Sequence, residues 1–209
     1  MAERMLQGDP LMFAFAILVL IFSIVAHEIS HGYAALALGD KTALYAGRLT
    51  MNPLKHIDPI GSIFVPILTS MAGIGFGWAK PVPYNPANLL DRKWGDTKVA
   101  LAGPFTNLGI ALAFAVLAHV GASALSPATV LLVGFVVHIN IVLAVFNLIP
   151  VPPFDGSKLL LNVLPHRYLY VFDLMERYWF IVLLLLVYFA PSIIGPIVSA
   201  IYGILMYGL

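Results

Sequence analysis

The chain has 209 residues, of which 61% are hydrophobic and 10% are charged, and its mean hydropathy is +0.95. Soluble globular proteins carry about 25% charged residues, so this chain lacks the polar side chains that would cover a wetted surface. The composition therefore excludes a cytosolic enzyme or a nucleic-acid-binding protein and predicts an all-α polytopic membrane protein. Eleven Lys and Arg balance ten Asp and Glu, and the absence of cysteine excludes disulfides, thiolate metal ligands and a cysteine nucleophile.

The first part of the chain contains one long apolar segment and one shorter apolar segment that is interrupted by helix-breaking residues. Leu11–Leu38 is long enough to cross a bilayer and ends at Gly39-Asp40. The alternation at Tyr45–Thr50 is compatible with a short strand pair or with a plain connector. Ile57–Gly73 is apolar but short and is interrupted by two prolines and a glycine, and residues 74–96 read as a Gly- and Pro-rich loop.

The second part of the chain is more regular. Thr97–Gly121 and Pro127–Ile149 are predicted spanning helices, followed by a Pro- and Gly-marked turn at 150–164. An amphipathic stretch from His166 leads into Trp179–Ala190, and Ser192–Leu209 is a last apolar segment. We therefore expect one membrane-embedded domain over residues 1–209, with a core at 11–160, C-terminal helices at 166–209 and about five to six membrane segments. A short re-entrant or β segment should follow the first helix.

An H-E-x-x-H motif, His27 to His31, lies inside the first apolar stretch. Its i, i+4 spacing places both imidazoles on one helix face, where they can bind one zinc ion. Glu28 beside them is the residue that would take a proton from zinc-bound water. Ionisable side chains are costly within lipid, so three of them within five positions indicate a metal site rather than a chance match.

Two histidines leave a tetrahedral zinc ion short of a protein ligand. The better third ligand is Asp155, which follows a proline-rich turn after Asn147. His56 stays open as an alternative, since it lies in the loop after the metal helix. The remaining histidines, His119, His138 and His166, are expected to be structural or interfacial.

Three motifs in this order resemble the site-2 proteases, which are zinc intramembrane metalloproteases. They are H-E-x-x-H, A-G-P-x-x-N at Ala102–Asn107 and N-x-x-P-x-P-x-x-D-G at Asn147–Gly156. The segment Gly77–Pro83 also looks like the connector of a compact prokaryotic branch, and no PDZ or CBS domain fits within this length.

The resemblance implies one zinc ion held by His27, His31 and Asp155, with Glu28 as the catalytic acid/base. It implies that Asn147 holds the substrate backbone or the developing oxyanion. Ser157 stands where a second glycine often follows the Asp-Gly pair, which leaves the ligand in place. The implied substrate is a single-pass transmembrane protein in a prokaryotic plasma membrane, such as an anti-sigma factor or a transcription-factor precursor.

A shared metal site requires the helices that carry His31 and Asp155 to run parallel, which allows only one full crossing between them. Ile57–Gly73 should therefore be re-entrant. Residues 39–98 and 150–177 then hold ten of the eleven Lys and Arg on one side of the membrane, with only Arg4 on the other. If 57–73 crossed the membrane, the two sides would instead hold eight and three. The positive-inside rule thus places the N-terminus outside and the metal toward the cytoplasm.

Two questions stay open at this point. Asn107 lies near the depth of the metal and could support the site or the substrate, or simply join helices by a hydrogen bond.

A non-catalytic membrane scaffold or a zinc transporter could use the same metal site. A prenyl-protein endopeptidase is less favoured because of the Asn147–Asp155 element. A rhomboid-like serine protease is less favoured because Ser123 lies in a short interhelical turn.

Overall fold

The computed structural model of the chain describes residues 10–71, 77–165 and 169–208, and all their regular elements are helical. The α-helices are α1 (Pro10–Ala37), α2 (Thr42–Tyr45), α3 (Val65–Met71), α4 (Gly95–Val120), α5 (Pro127–Asn147), α6 (Gly156–Val163), α7 (Leu169–Arg177) and α8 (Trp179–Leu205). Two 3-10 turns, Pro53–His56 and Pro86–Asn88, and a π-helical turn, Pro59–Phe64, lie between them. The all-α prediction is confirmed for the described residues.

Three of these helices, α1, α4 and α5, are long and apolar enough to cross a membrane. Their lengths are 28, 26 and 21 residues, against the roughly 20 that a bilayer requires. Each predicted helix agrees with the observed one to within a residue or two at either end. The chain is thus an integral membrane protein.

The three helices and α8 pack through small residues. Ala111, Ala115 and Ala118 of α4 are buried against Val137 and Ile141 of α5, with Ile194 and Val198 of α8 in the same apolar cluster. Alanine lets helix backbones approach closely, which is how helices associate where lipid removes the hydrophobic driving force.

The direction of the helices follows from the residues that meet. Phe15 of α1 contacts Phe135 of α5 with ring centroids 6.0 Å apart. Further along both helices the Ser23 hydroxyl lies 3.0 Å from the Asn140 amide nitrogen. Residue numbers rise together, so α1 and α5 run parallel, as the shared metal site requires. By contrast, His31 of α1 meets Val99 at the start of α4, while the earlier Ser23 meets Asn107 further along α4, so α4 runs antiparallel to both.

The two ends of the short apolar segment after α1 lie side by side. The backbone N–H of Trp78 donates to the Gly61 carbonyl at 2.9 Å, and the N–H of Lys80 donates to the His56 carbonyl at 2.9 Å. The Trp78 indole also donates to the Asp58 carboxylate at 2.9 Å. Residues 77–80 therefore lie beside residues 56–61. The end of the predicted segment, residues 72–73, lies outside the described residues.

Two expectations from the sequence are wrong in detail. The strand pair predicted at Tyr45–Thr50 is absent, because the backbone N–H groups of residues 46–48 donate back to the carbonyls of residues 42–44 and so continue the turn that begins with α2. The last two apolar segments are one continuous helix, α8, that passes through Gly195 and Pro196. A proline removes one N–H from a helix, which membrane helices tolerate.

The predicted end of α1 agrees with the structure, and two other predictions concern residues outside the described ranges. Gly39 ends α1 with a left-handed φ of 101°, as predicted for a helix stop. Residues 1–9, which carry the predicted external N-terminus, and His166 lie outside the described residues.

Candidate metal centre

Helix α1 presents His27 and His31 toward α4 and the turn that follows α5. Their side chains are 8% and 10% exposed, and the two ring centroids are 4.7 Å apart. The Nε2 atoms of both rings face one carboxylate oxygen, Asp155 Oδ2, at 3.1 and 3.4 Å. One potential ligand atom from each of the three residues lies within 4.8 Å of the others. The sequence-predicted set is therefore brought together.

The orientation of each imidazole is set from its other nitrogen. The Nδ1 of His31 lies 2.7 Å from the backbone carbonyl of Val99, which can only accept, so we assign the proton to Nδ1. The Nδ1 of His27 lies 2.7 Å from Asn107 Oδ1. The amide of Asn107 is fixed this way round because its nitrogen donates to the Ser23 carbonyl and to Asn140 Oδ1. Both Nε2 lone pairs are therefore left for a metal ion, which is the tautomer that zinc requires.

Asp155 completes the donor set. Its Oδ2 atom lies 3.1 and 3.4 Å from the two Nε2 atoms. Two imidazole nitrogens and one carboxylate oxygen form a donor set that zinc accepts.

Gly103 of α4 leaves the space in front of the two rings clear. A Cβ atom at this position would lie 2.5 Å from His27 Nε2 and 2.6 Å from His31 Nε2. Any other residue at this position would clash with both ligand nitrogens. The site therefore fits a metal ion by its donor atoms, its tautomers and its clearance.

Glu28 lies on the open side of the site. Its side chain lines a cavity of roughly 200 Å³ together with His27, His31, Asp155 and Asn147. Its Oε2 atom accepts a hydrogen bond from the backbone N–H of Val82 at 2.8 Å. Glu28 and the two histidines thus line one cavity.

The two asparagines have separate places. Asn147 lines the cavity, and its amide nitrogen donates to the Leu143 carbonyl of its own helix at 2.9 Å. Asn107 is fully buried behind His27 and joins it to Asn140 and Ser23. Its side chain thus contacts a candidate site residue and links three helices.

The other histidines are elsewhere. His56 is buried, with its Nε2 3.0 Å from the Thr50 carbonyl, and it is absent from the described metal-ligand cluster. His119 bonds to the carbonyls of Ala115 and Tyr207, and His138 packs against the Tyr202 ring. Their predicted structural roles fit these contacts.

Sequence reasoning missed the backbone partners of the site. The Val99 carbonyl orients His31 and the Val82 amide contacts Glu28, but such groups are common to all residues and leave no signature in a sequence. Sequence reasoning also missed Tyr84, whose hydroxyl donates to Asp96 at 2.5 Å on the cavity wall.

The chain is similar in sequence to a known protein family and to several of its members. Residues 119–189 match the model of peptidase family M50. The chain is 35% identical over 191 residues to "Putative zinc metalloprotease YwhC" of Bacillus subtilis, covering 88% of this chain and 84% of the relative. It is 33% identical over 160 residues to "Putative zinc metalloprotease MJ0611" of Methanocaldococcus jannaschii, covering 70% and 72%.

A match to "Putative zinc metalloprotease Rip2" of Mycolicibacterium smegmatis is 31% identical and covers 65% of this chain but 52% of the relative. No solved structure matches. The extent of the first two matches, together with the family model, decides the assignment: the chain belongs to peptidase family M50, the site-2 protease family.

Proposed function

We propose that the protein is a zinc-dependent intramembrane endopeptidase that cleaves transmembrane segments of membrane proteins. The observation that carries this proposal is the geometry of His27, His31 and Asp155, whose ligand atoms converge beside Glu28 on one cavity. The membership in a metalloprotease family and the three apolar helices support it. Residues 1–209 would then act as one membrane-embedded protease domain.

The three converging residues would hold one zinc ion through two imidazole nitrogens and one carboxylate oxygen. A fourth position would be left open for water or substrate, as in catalytic rather than structural zinc sites. When bound, the ion supplies the Lewis acidity that lowers the pKa of water to near neutrality.

The residues of the chain would then carry the proton. Glu28 accepts it from the attacking water and passes it to the nitrogen of the leaving amine, so that the peptide bond breaks and a new carboxylate forms. Asn147, on the same cavity, would hold the substrate backbone or the developing oxyanion. A substrate helix hides its peptide bonds in its own hydrogen bonds, so it must unwind at the cut, and helix-breaking residues there would favour cleavage.

The site would open toward the cytoplasm. Both ends of the segment 56–78 lie side by side, which supports a re-entrant path over a full crossing. The ten basic residues of 39–98 and 150–177 then share the face at which the metal site lies. Labelling of a single cysteine at Leu6 from the outside only is expected, whereas labelling from the cytoplasm only would refute this topology.

Replacement of the base is the direct test. Glu28→Gln in purified protein should abolish cleavage of a membrane-spanning reporter, because the amide cannot accept the proton, while zinc content and melting temperature are retained. Glu176→Gln on α7 is the matched control, because Glu176 is an exposed glutamate that does not line the cavity. Retained cleavage by Glu28→Gln would refute the mechanism.

The same experiment separates the enzyme from a scaffold or a zinc transporter. An enzyme loses cleavage with Asp155→Ala as well as with Glu28→Gln. A transporter would move zinc across vesicles without needing Glu28, and a scaffold would cleave nothing in the first place.

A further inference from the structure

The connector segment, residues 77–85, has a row of backbone amides that point in one direction. The N–H groups of Trp78 and Lys80 donate to the carbonyls of Gly61 and His56. The next in the row, the N–H of Val82, donates instead to Glu28 Oε2 at 2.8 Å. The spacing i, i+2, i+4 is that of an extended chain, in which alternate amides share one edge.

This bond constrains a side chain that is otherwise free to rotate. Glutamate has several rotatable bonds, and one hydrogen bond to Oε2 removes most of that freedom while Oε1 is left to receive a proton. Val82 is 5% exposed and lines the same cavity as Glu28, so water does not compete strongly for the bond. A hydrogen bond to a buried or half-buried carboxylate is among the stronger ones in a protein.

A buried arginine fixes the connector at the same point. The Nη2 of Arg48 donates to the carbonyls of Lys80 and Pro81 at 2.8 and 3.3 Å, and its side chain is 8% exposed. Its Nε–H has no hydrogen-bond partner among the described residues, so the terminal nitrogen is what holds the segment. The two carbonyls immediately precede the Val82 amide in the chain, so their position determines where that N–H points.

Helix α1 closes the gap from the other side. A Cβ atom at Gly32 would lie 2.9 Å from Val82 Cγ1 and 2.5 Å from Leu49 Cδ2. Gly32 lies one helical turn after Glu28 on α1. Because it has no side chain, the connector can lie directly against this helix.

We propose that the backbone amide of Val82 positions the catalytic base Glu28, and that Arg48 holds this amide in place through the carbonyls of Lys80 and Pro81. The inference rests on the proposed function, because it assigns the proton transfer to Glu28. Val82 and Arg48 are positioning residues, since neither touches the reacting atoms.

Exchange of one backbone atom tests the first half. Replacing Val82 by its α-hydroxy analogue converts the amide to an ester and removes only the N–H. The turnover number for a membrane-spanning reporter should fall about 10- to 100-fold, the loss expected for one hydrogen bond to a charged group, while KM and zinc content stay unchanged. The matched control is the same exchange at Leu90, whose N–H donates to the Leu38 carbonyl at 2.8 Å away from Glu28. An unchanged turnover number at Val82, or an equal fall at Leu90, would overturn the proposal.

Substitution of the arginine tests the second half. Arg48→Met removes the donor and should lower the turnover number by a similar factor, whereas Arg48→Lys keeps a terminal cation and should restore part of it. A readout independent of activity comes from a Val82→Cys reporter, the only thiol in a chain without cysteine. This buried thiol should react faster with a polar maleimide when combined with Arg48→Met than when combined with Arg48→Lys. Equal reaction rates would refute the anchoring role.

The outcomes separate this inference from the proposed function. If Glu28→Gln retains cleavage, the proposed function fails. If Glu28→Gln is inactive but the Val82 ester is fully active, only the positioning role fails.

Discussion

Gly103 offers the sharpest test of the metal centre, because the change is one methyl group. In Gly103→Ala the new Cβ would lie 2.5 Å from two atoms of the His27 ring and 2.6 Å from His31 Nε2. Ordinary contact begins at 3.4 Å, so the overlaps are 0.9 and 0.8 Å. Neither ring can rotate away freely, since each is tethered at Nδ1 by a 2.7 Å hydrogen bond, to Asn107 and to Val99.

The size of the effect follows from that overlap. Adding a methyl group to a well-packed interior costs about 1–3 kcal/mol. If the protein relieves the clash by displacing the ligand atoms, zinc affinity should fall about 5- to 150-fold, at about 1.4 kcal/mol per factor of ten. Competition with a chromogenic chelator measures the affinity, and metal analysis of the purified protein gives the zinc content.

Gly109→Ala is the matched control. Gly109 lies on the same helix, α4, and a Cβ there would have no atom within 4 Å. Both substitutions change helix propensity alike, so a difference between them reports the contact with the histidines alone. Equal zinc affinity in Gly103→Ala and Gly109→Ala would refute the reasoning that both rings bind metal in front of Gly103.

Further predictions concern the partners of the site and the loop beside it. Asn107→Leu removes the acceptor of the His27 Nδ1 proton, and zinc affinity should fall about 10- to 100-fold; unchanged affinity in the chelator assay would contradict the assigned tautomer. Removal of zinc by a chelator should lower the melting temperature and abolish cleavage, and added zinc should restore both, because a ligand of the folded state stabilises it. Burial raises the pKa of Asp40, but hydrogen bonds from Thr42, Asn88 and the Asn85 N–H lower it below its ordinary value of 3.8. The fully buried Asp40 carboxylate therefore stabilises the fold above about pH 4, and this stability is lost as the pH falls through the lowered pKa. The melting temperature of the wild type should fall in that acid range, and Asp40→Asn, less stable at neutral pH, should not show this loss.

The sequence predicted the parts of the site that depend on residue type. His27, His31 and Asp155 are identified by side-chain chemistry and spacing, and the parallel direction of α1 and α5 follows from the need to bring them together. The long apolar helices were equally predictable, because their length against the bilayer leaves few alternatives.

The remainder depended on tertiary contacts. The alternation at Tyr45–Thr50 is a local pattern, but the segment forms a turn whose Arg48 side chain donates to the carbonyls of Lys80 and Pro81, a contact with a distant part of the chain. Gly195 and Pro196 are helix breakers in water, but the apolar helix α8 continues through them. The contacts of the Val82 and Val99 backbones with the site could not be read from a sequence at all, because every residue carries the same amide.

Helix α4 contributes no ligand, yet it determines what the two histidines can bind. Its Val99 carbonyl accepts a hydrogen bond from His31 Nδ1, and its Asn107 side chain accepts one from His27 Nδ1. Its Gly103 keeps the space in front of both Nε2 atoms free. With an H-E-x-x-H motif on α1 alone, nothing would determine the tautomer of either histidine. The four ring nitrogens would also have no hydrogen-bond partners, and burying unpaired polar atoms in an apolar medium is costly. The antiparallel packing of α4 against α1 is therefore what turns the motif into a candidate metal site.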